Sequence, residues 1–208
     1  MNQLLVATTN KGKISQIKPV LEGLPIKLVF LPDLEIKNKV EENGKTLEEN
    51  ALLKAKFYSE LTGLWVLADD MGLEIDFLNG QPGVKSKRWL GYDATDEELI
   101  QFTLDKLRGV PFEKRKAVFK SAIAIVSPEG KSWLVQGLSR GYISEKPSSI
   151  RIKGLPYASL FFVPKYKKIF TELTGEEKET VSHRIKAIKK SKKIIAALLL
   201  QERRTRER

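Results

Sequence analysis

The stretch Leu4-Leu5-Val6-Ala7-Thr8-Thr9-Asn10-Lys11-Gly12-Lys13 joins a short apolar run to a polar segment, and a helical pattern follows at once. This order predicts a strand over residues 3–8 and a helix over residues 11–22. The first backbone N–H groups of a helix have no acceptor within it, and here hydroxyl, amide and ammonium groups accompany them. The stretch therefore predicts an anion site, with phosphate as the leading ligand.

A purely structural interpretation of the same residues stays open. Asn10 is an ordinary helix N-cap, and Lys11 and Lys13 can be solvated charges on a surface turn. The stretch also lacks the two glycines before Lys-Ser/Thr that define a Walker loop. Taken alone, it does not distinguish a cap from a binding site.

Length and composition predict one domain over residues 1–208. The chain has 41% hydrophobic and 30% charged residues and no linker rich in proline, glycine or serine. We find no apolar run near the roughly 18 residues that a membrane helix needs, and no signal peptide. These features predict a cytoplasmic protein that does not bind membranes.

The residue types restrict the chemistry. The chain has no cysteine, which excludes disulfides, thiolate catalysis and cysteine-bound metals. It has one histidine, His183, which excludes sites that need two imidazoles. Any metal would therefore be a hard cation held by carboxylates, and Mg²⁺ is the leading candidate.

The net charge of +11 is concentrated in a basic C-terminal tail over about residues 185–208. Such a tail is typical either of a solvated helix end or of a segment that contacts nucleic acid. We favour the solvated helix end because no aromatic residues lie between the basic ones, and nucleic-acid binding stays an alternative.

The remaining pattern predicts a mixed α/β sheet, because strands and helices alternate early and two long strands follow later. We expect strands at residues 26–31, 65–68, 73–77, 117–126 and 132–143. Capping boxes at Thr46–Glu49 and Thr95–Glu98 predict helices that end near Leu61 and Leu107. Helical periodicity returns over residues 176–200 with a break near residues 180–182.

Three carboxylates are candidate site residues. Asp69 and Asp70 lie at a predicted strand end, where neighbouring side chains point to opposite faces, so we expect them to have different roles. A polar turn before Gly72 is the alternative. Glu42 is the preferred partner for a metal, because Glu49 already has a structural role as the N3 residue of a capping box.

The only histidine lies in Ser182-His183-Arg184, at the start of the last predicted helix. It can be a cap, and no Ser-His-Asp spacing supports nucleophilic catalysis. His183 and Arg184 could instead donate to the O6 oxygen of a purine. Adenine carries an amino group there and would leave buried donors unpaired.

The order and spacing of five segments resemble the inosine triphosphate pyrophosphatase family over residues 3–190. The segments are Ala7–Lys13, Thr46–Ala55, Leu67–Leu73, Gly80–Val84 and Glu177–Arg184. The resemblance implies an elongated, twisted sheet flanked by helices, with two lobes and a nucleotide cleft between them, in a homodimer. It also implies Mg²⁺-dependent hydrolysis of ITP, dITP or XTP to the monophosphate and pyrophosphate.

The resemblance also implies residue roles. Asp70 would be the catalytic base, and Glu42 and Asp70 would bind Mg²⁺. Substrate would contact Thr8, Thr9, Asn10, Lys11, Gly12, Lys13, Met71, Leu155, Pro156, Tyr157, Ala158, Lys178, His183 and Arg184.

Four positions depart from the family pattern. Leu155 replaces an aromatic residue, Ala158 an aspartate, Met71 a serine and Gln16 a helix glutamate. The phosphate and metal residues are kept, so we expect hydrolysis with altered base selection as one alternative. A nucleotide- or RNA-binding relative without turnover is the other.

Overall fold

The computed structural model describes residues 1–34, 36, 38 and 40–206, with side chains up to residue 202. Within these residues there are five α-helices and one eight-stranded sheet. The strands are β1 (Gln3–Val6), β2 (Lys27–Phe30), β3 (Trp65–Ile75), β4 (Pro82–Gly83), β5 (Lys116–Val126), β6 (Ser132–Ile143), β7 (Phe161–Val163) and β8 (Lys168–Ile169). The helices are α1 (Lys11–Leu21), α2 (Leu47–Thr62), α3 (Asp96–Lys106), α4 (Gly175–Val181) and α5 (His183–Arg206).

The sheet is mixed, as predicted. Its order is β2-β1-β3-β5-β6-β7-β8, and β4 pairs with β3 outside this path. Strand β1 is parallel to β2 and to β3. The pairs β3–β4, β6–β7 and β7–β8 are antiparallel. The predicted α/β class is therefore confirmed.

The first strand ends earlier than predicted. The backbone N–H of Ala7 still donates to Leu67 at 2.8 Å, but that of Thr8 turns back to Val6 at 2.8 Å. This turn ends β1 at Val6 and frees the next residues to start α1. The predicted helix over 11–22 is confirmed to within one residue.

The two strands predicted at 65–68 and 73–77 are wrong, because β3 runs unbroken from Trp65 to Ile75. Asp69 and Asp70 therefore lie inside an extended strand and not in a turn. Leu73 pairs with Gly83 in β4, and a Cβ on Gly72 would lie only 2.4 Å from the Gly83 carbonyl oxygen. This close pairing keeps the backbone extended beyond the acidic pair.

The chain divides into two compact units. The first contains Met1–Asp70, Ser121–Gly137 and the chain from His183 onward, and the second contains Met71–Lys120 and Leu138–Ser182. Each unit has its own apolar core. The first core includes Leu4, Ile17, Leu67, Ile123 and Ile195, and the second includes Leu73, Ile75, Leu99, Phe119 and Phe161.

Helix α5 packs very closely on β6 in the first unit. A Cβ on Gly137 would lie 1.9 Å from the carbonyl oxygen of His183 and 2.6 Å from the backbone nitrogen of Ala187. Only glycine leaves room for this contact, which fixes the first turn of α5 on the sheet. None of the described helices is long and apolar enough to cross a membrane.

Candidate active site

The segment between β1 and α1 forms a capped helix start. The Asn10 side chain accepts a hydrogen bond from the N–H of Lys13 at 3.1 Å, and the Asn10 N–H donates to the Thr8 hydroxyl at 3.1 Å. Thr8 is buried, whereas Thr9, Asn10, Lys11 and Gly12 are exposed. The capped helix start is exposed to solvent, so the structural and anion-binding interpretations are compatible.

Asp69 is a buried acid at the centre of an ion cluster. Its side chain is 2% exposed, and Oδ2 lies 3.0 Å from Lys13 Nζ and 4.0 Å from Arg184 Nε. Burial raises the pKa of Asp69, but Lys13 and Arg184 outweigh this effect and the net shift is downward. Asp69 is therefore a carboxylate at neutral pH and binds the lysine of the α1 start.

Arg184 and His183 begin α5 beside this cluster. Arg184 is 4% exposed, and its Nη1 donates to Gln16 Oε1 at 2.6 Å. Burial, and after it the charge of Arg184, lowers the pKa of His183 to about 3. The imidazole is therefore neutral at neutral pH, with one nitrogen as donor and the other as acceptor.

A second cluster surrounds Asp70. Lys54 Nζ lies 3.0 Å from Glu42 Oε1 and donates to the backbone oxygen of Asp69 at 3.1 Å. Burial raises the pKa of Asp70, Lys54 opposes this rise, and the charge of Glu42 adds to it. The Asn50 side chain also hydrogen-bonds Asp70 and accepts from the Gly44 N–H at 2.7 Å.

The two aspartates therefore have different surroundings, as their places on an extended strand predict. Asp69 is buried and pairs with Lys13, whereas Asp70 is half-buried and interacts with Glu42, Lys54 and Asn50. The lowered pKa of Asp69 and the raised pKa of Asp70 follow from this difference. Asp70 is the better proton acceptor of the two.

The donor set of Glu42 and Asp70 fits a hard cation. Glu42 is close enough to Asp70 for its charge to raise the pKa of Asp70, and the Lys54 ammonium opposes this effect. Among the described residues there is no group of three or more His, Cys, Asp or Glu that could hold a metal. Two carboxylates are nonetheless sufficient for Mg²⁺, which usually keeps several waters and binds substrate phosphates.

Glu49 has the structural role that the sequence predicts. Its Oε2 accepts from the N–H of Thr46 at 3.3 Å and from that of Lys45 at 2.5 Å, while the Thr46 hydroxyl accepts from the Glu49 N–H. Both halves of the capping box are present at the start of α2. Because the Glu49 carboxylate already binds backbone N–H groups, Glu42 is the acidic partner of Asp70.

Sequence reasoning assigned no role to Lys54 and Asn50. They lie four residues apart on α2, so both side chains emerge from one helix face. Both residues are buried: Lys54 is 9% exposed and Asn50 is 3% exposed. Lys54 lies at a position of α2 that is otherwise typical of apolar residues, and this is the sequence signal that marks its face of the helix as polar.

The other predicted substrate residues lie in the second unit. Tyr157 is buried in a short 3₁₀-helix over Pro156–Ser159, and its hydroxyl donates to the Ser86 carbonyl oxygen at 2.6 Å. Burial raises the pKa of Tyr157. Ala158 in the same turn is buried, whereas the remaining members of this group are half-buried: Met71, Leu155, Pro156 and Lys178.

The sequence model of the Ham1 family matches residues 4–194, most of the chain. The chain belongs to the Ham1 family. This result confirms the resemblance to the inosine triphosphate pyrophosphatase family, because similar curated proteins carry the name dITP/XTP pyrophosphatase. One, from Thermoanaerobacter pseudethanolicus, is 44% identical over 93% of this chain and 96% of its own length. Another, from Geobacter sulfurreducens, is 45% identical over 90% of this chain and 94% of its own length.

Solved Ham1 structures share the fold. A HAM1 protein from Coxiella burnetii superposes with a TM-score of 0.86 at 33% identity and covers 95% of this chain and 100% of its own. A structure from Mycobacterium abscessus, titled nucleoside-triphosphatase / dITP/XTP pyrophosphatase, has a TM-score of 0.75 at 39% identity. It covers 95% of this chain and 98% of its own.

Proposed function

We propose that this Ham1 protein hydrolyses the non-canonical purine nucleotides ITP, dITP and XTP to the monophosphate and pyrophosphate. One observation supports the proposal most strongly: a capped helix start with Lys13 and a carboxylate pair at Glu42 and Asp70 are built into the same unit. The names of the relatives indicate the same activity.

The triphosphate binds at the start of α1. Backbone N–H groups at a helix N-terminus and the positive end of its dipole favour phosphate, and Lys13 adds a positive charge. Lys13 lies at 3.0 Å from Asp69, which holds its ammonium at this helix start. The hydroxyls and amide of Thr8, Thr9 and Asn10, with Lys11 and Gly12, complete this half of the site.

Glu42 and Asp70 would hold Mg²⁺, and the bound ion would supply positive charge against the phosphate oxygens. Asp70 accepts a proton from a water whose oxygen forms a bond to the α-phosphorus, and the bond from that phosphorus to the bridging oxygen breaks. The electron pair leaves with pyrophosphate. Within the protein chain, burial raises the pKa of Asp70, the direction that favours proton acceptance.

His183 and Arg184 select the base. A neutral imidazole can present one N–H, and the guanidinium presents several, so the pair matches the keto oxygen of hypoxanthine or xanthine. Adenine presents an amino donor instead, and each unmatched buried donor costs about 1–3 kcal/mol. Further contacts to the nucleotide come from Met71, Leu155, Pro156, Tyr157, Ala158 and Lys178.

The basic tail has a structural role rather than a nucleic-acid role in this proposal. Lys190 Nζ donates to the Gln136 carbonyl oxygen and Lys192 Nζ to that of Glu22, both at 2.8 Å. These bonds use two of the basic side chains to hold α5 against its own unit. We further propose a homodimer, which the resemblance implies, and a cytoplasmic location, which the sequence features predict.

The test is pyrophosphate release, with and without Mg²⁺, from ITP, dITP, XTP, GTP, ATP, CTP and UTP. The proposal predicts Mg²⁺-dependent release that is strongest with the first three. A different preferred nucleotide would show that apolar Leu155 and Ala158 belong to a pocket of altered specificity. No release from any nucleotide would overturn the enzymatic proposal.

A further inference from the structure

The side chain of Asn50 connects the two chain segments that carry the carboxylates of the proposed metal site. Asn50 lies near the start of α2 and is buried. Its Oδ1 accepts a hydrogen bond from the Gly44 N–H at 2.7 Å, and the same side chain hydrogen-bonds Asp70. Gly44 comes two residues after Glu42 in the chain. Asn50 therefore binds the loop of one carboxylate and the side chain of the other.

The chemistry of the amide decides which of its atoms faces each neighbour. A backbone N–H can only donate, so the amide oxygen of Asn50 faces Gly44. The amide nitrogen is then the atom that donates to the Asp70 carboxylate. A side chain of this size must therefore carry one acceptor and one donor to make both contacts, and leucine carries neither.

The loop before α2 lies in close contact with Asn50. A Cβ on Gly44 would lie 2.7 Å from Asn50 Oδ1 and 2.8 Å from the Glu49 Cβ, so a larger residue would displace the loop or these side chains. Lys54, on the same face of α2, binds the Glu42 carboxylate at 3.0 Å. One helix face therefore holds Glu42 in two ways, by an ion pair with its side chain and by a hydrogen bond to its loop.

We propose that Asn50 is a positioning residue of the metal site, which holds the Glu42 loop and the Asp70 carboxylate in place for a hard cation. The inference rests on the proposed function, in which Glu42 and Asp70 bind Mg²⁺. Asn50 acts through these two residues and is not itself a ligand. Loss of a hydrogen-bond partner that orients a metal ligand typically lowers metal affinity by about 10–100-fold.

The test measures the Kd for Mn²⁺ in the absence of nucleotide, from the EPR signal of free Mn²⁺, in the unchanged protein and in Asn50→Leu. Mn²⁺ prefers the same carboxylate and water ligands as Mg²⁺. Leucine is similar in size to asparagine but removes both hydrogen bonds. We expect the Kd for Mn²⁺ to rise by at least about tenfold.

The matched control is Ser59→Ala on the same helix. Ser59 is also buried, and its hydroxyl is within hydrogen-bond distance of two carbonyl oxygens, that of Leu64 at 2.9 Å and that of Ser127 at 3.2 Å. Its replacement should lower the free energy of unfolding but leave the Kd for Mn²⁺ unchanged. A purely structural role of Asn50 would give the same result in Asn50→Leu.

Gly44→Ala tests the same contact from its other side. The added Cβ would displace the loop while the Asn50 side chain stays chemically intact, so the Kd for Mn²⁺ should rise here as well. If Asn50→Leu does not fold, Gly44→Ala decides the question. An unchanged Kd in the folded Asn50→Leu variant, or in Gly44→Ala when it alone folds, would overturn the inference.

The Mg²⁺ dependence of pyrophosphate release from ITP gives a second measurement. In Asn50→Leu, the Mg²⁺ concentration for half-maximal release should rise by a similar factor, and excess Mg²⁺ should restore part of the lost rate. A lower rate with an unchanged half-maximal concentration would contradict the positioning role. No release by the unchanged protein would overturn the proposed function, whereas no Mn²⁺ binding by the unchanged protein would overturn the inference.

Discussion

At the scale of single residues, the pKa values of two adjacent aspartates shift in opposite directions because their surroundings differ. Asp69 stays ionised next to Lys13 and Arg184, whereas burial and Glu42 raise the pKa of Asp70. The sequence predicted two roles from the alternation of side chains along a strand. It did not predict the partners, because Arg184 comes from a helix more than a hundred residues away in the chain.

Asp69→Asn is expected to destabilise the protein by about 3–5 kcal/mol, because it removes the carboxylate that buried Arg184 shares with half-buried Lys13. The folded pKa of Asp69 is depressed, so its contribution to stability is present above the unfolded pKa of about 3.9 and is lost as pH falls through the folded pKa. Denaturant unfolding at neutral and acid pH checks this prediction. The loss of stability between the two conditions should be smaller in Asp69→Asn than in the unchanged protein, and an equal loss would refute the assignment.

His183 is expected to stay neutral across the physiological range, because its pKa lies at about 3. The chain has one histidine, so its imidazole signals in an NMR titration need no assignment by mutagenesis. The prediction is that these signals do not shift between about pH 5 and 8, where an exposed histidine titrates. A midpoint near 6.5 would show that the imidazole is accessible to water and not buried as described.

At the scale of elements, local signals predicted most of the helices and their starts. The capping boxes at Thr46 and Thr95 contain their own partners within four residues, so the sequence alone identifies them. The continuity of β3 needed a different kind of information. The pairing of Leu73 with Gly83 and the close approach at Gly72 depend on a second chain segment, which a local pattern does not contain.

Among the glycines, Gly137 has the least space for a side chain, because helix α5 packs directly against it. Gly137→Ala would place a Cβ 1.9 Å from the His183 carbonyl oxygen, so the first turn of α5 must shift. Overpacking of this kind costs about 1–3 kcal/mol in the free energy of unfolding. Because His183 and Arg184 lie in that turn, we also expect KM for ITP to rise.

Thermal or denaturant unfolding together with ITP kinetics measures both effects of Gly137→Ala. Gly175→Ala is the control, because a Cβ there meets nothing within 4 Å and the residue has no positive φ. A second comparison is Gly141→Ala, where a Cβ would lie 2.2 Å from the Phe162 carbonyl oxygen in the second unit. It should lose stability without the same rise in KM, and an identical rise would show that Gly137 acts only on the fold.

At the scale of the whole molecule, the residues proposed to bind phosphate and metal belong to one compact unit with its own core. Lys13, Glu42, Asp70, His183 and Arg184 come from four separate parts of the chain and meet in the first unit. Their sequence order carries the family resemblance, but the cluster itself follows from the parallel pairing of β1 with β3 and the packing of α1 on α5. Lys54 and Asn50 were found only through this tertiary arrangement.

The most direct test of the account is Mg²⁺-dependent pyrophosphate release from ITP by Asp70→Asn. Asparagine keeps the shape of the side chain but removes the proton acceptor and the negative charge that would bind Mg²⁺, so we expect kcat to fall by at least about a hundredfold. Exposed Asp93→Asn is the matched control and should retain full turnover. A folded Asp70→Asn variant with the full turnover of the unchanged protein would contradict the assignment of the active site.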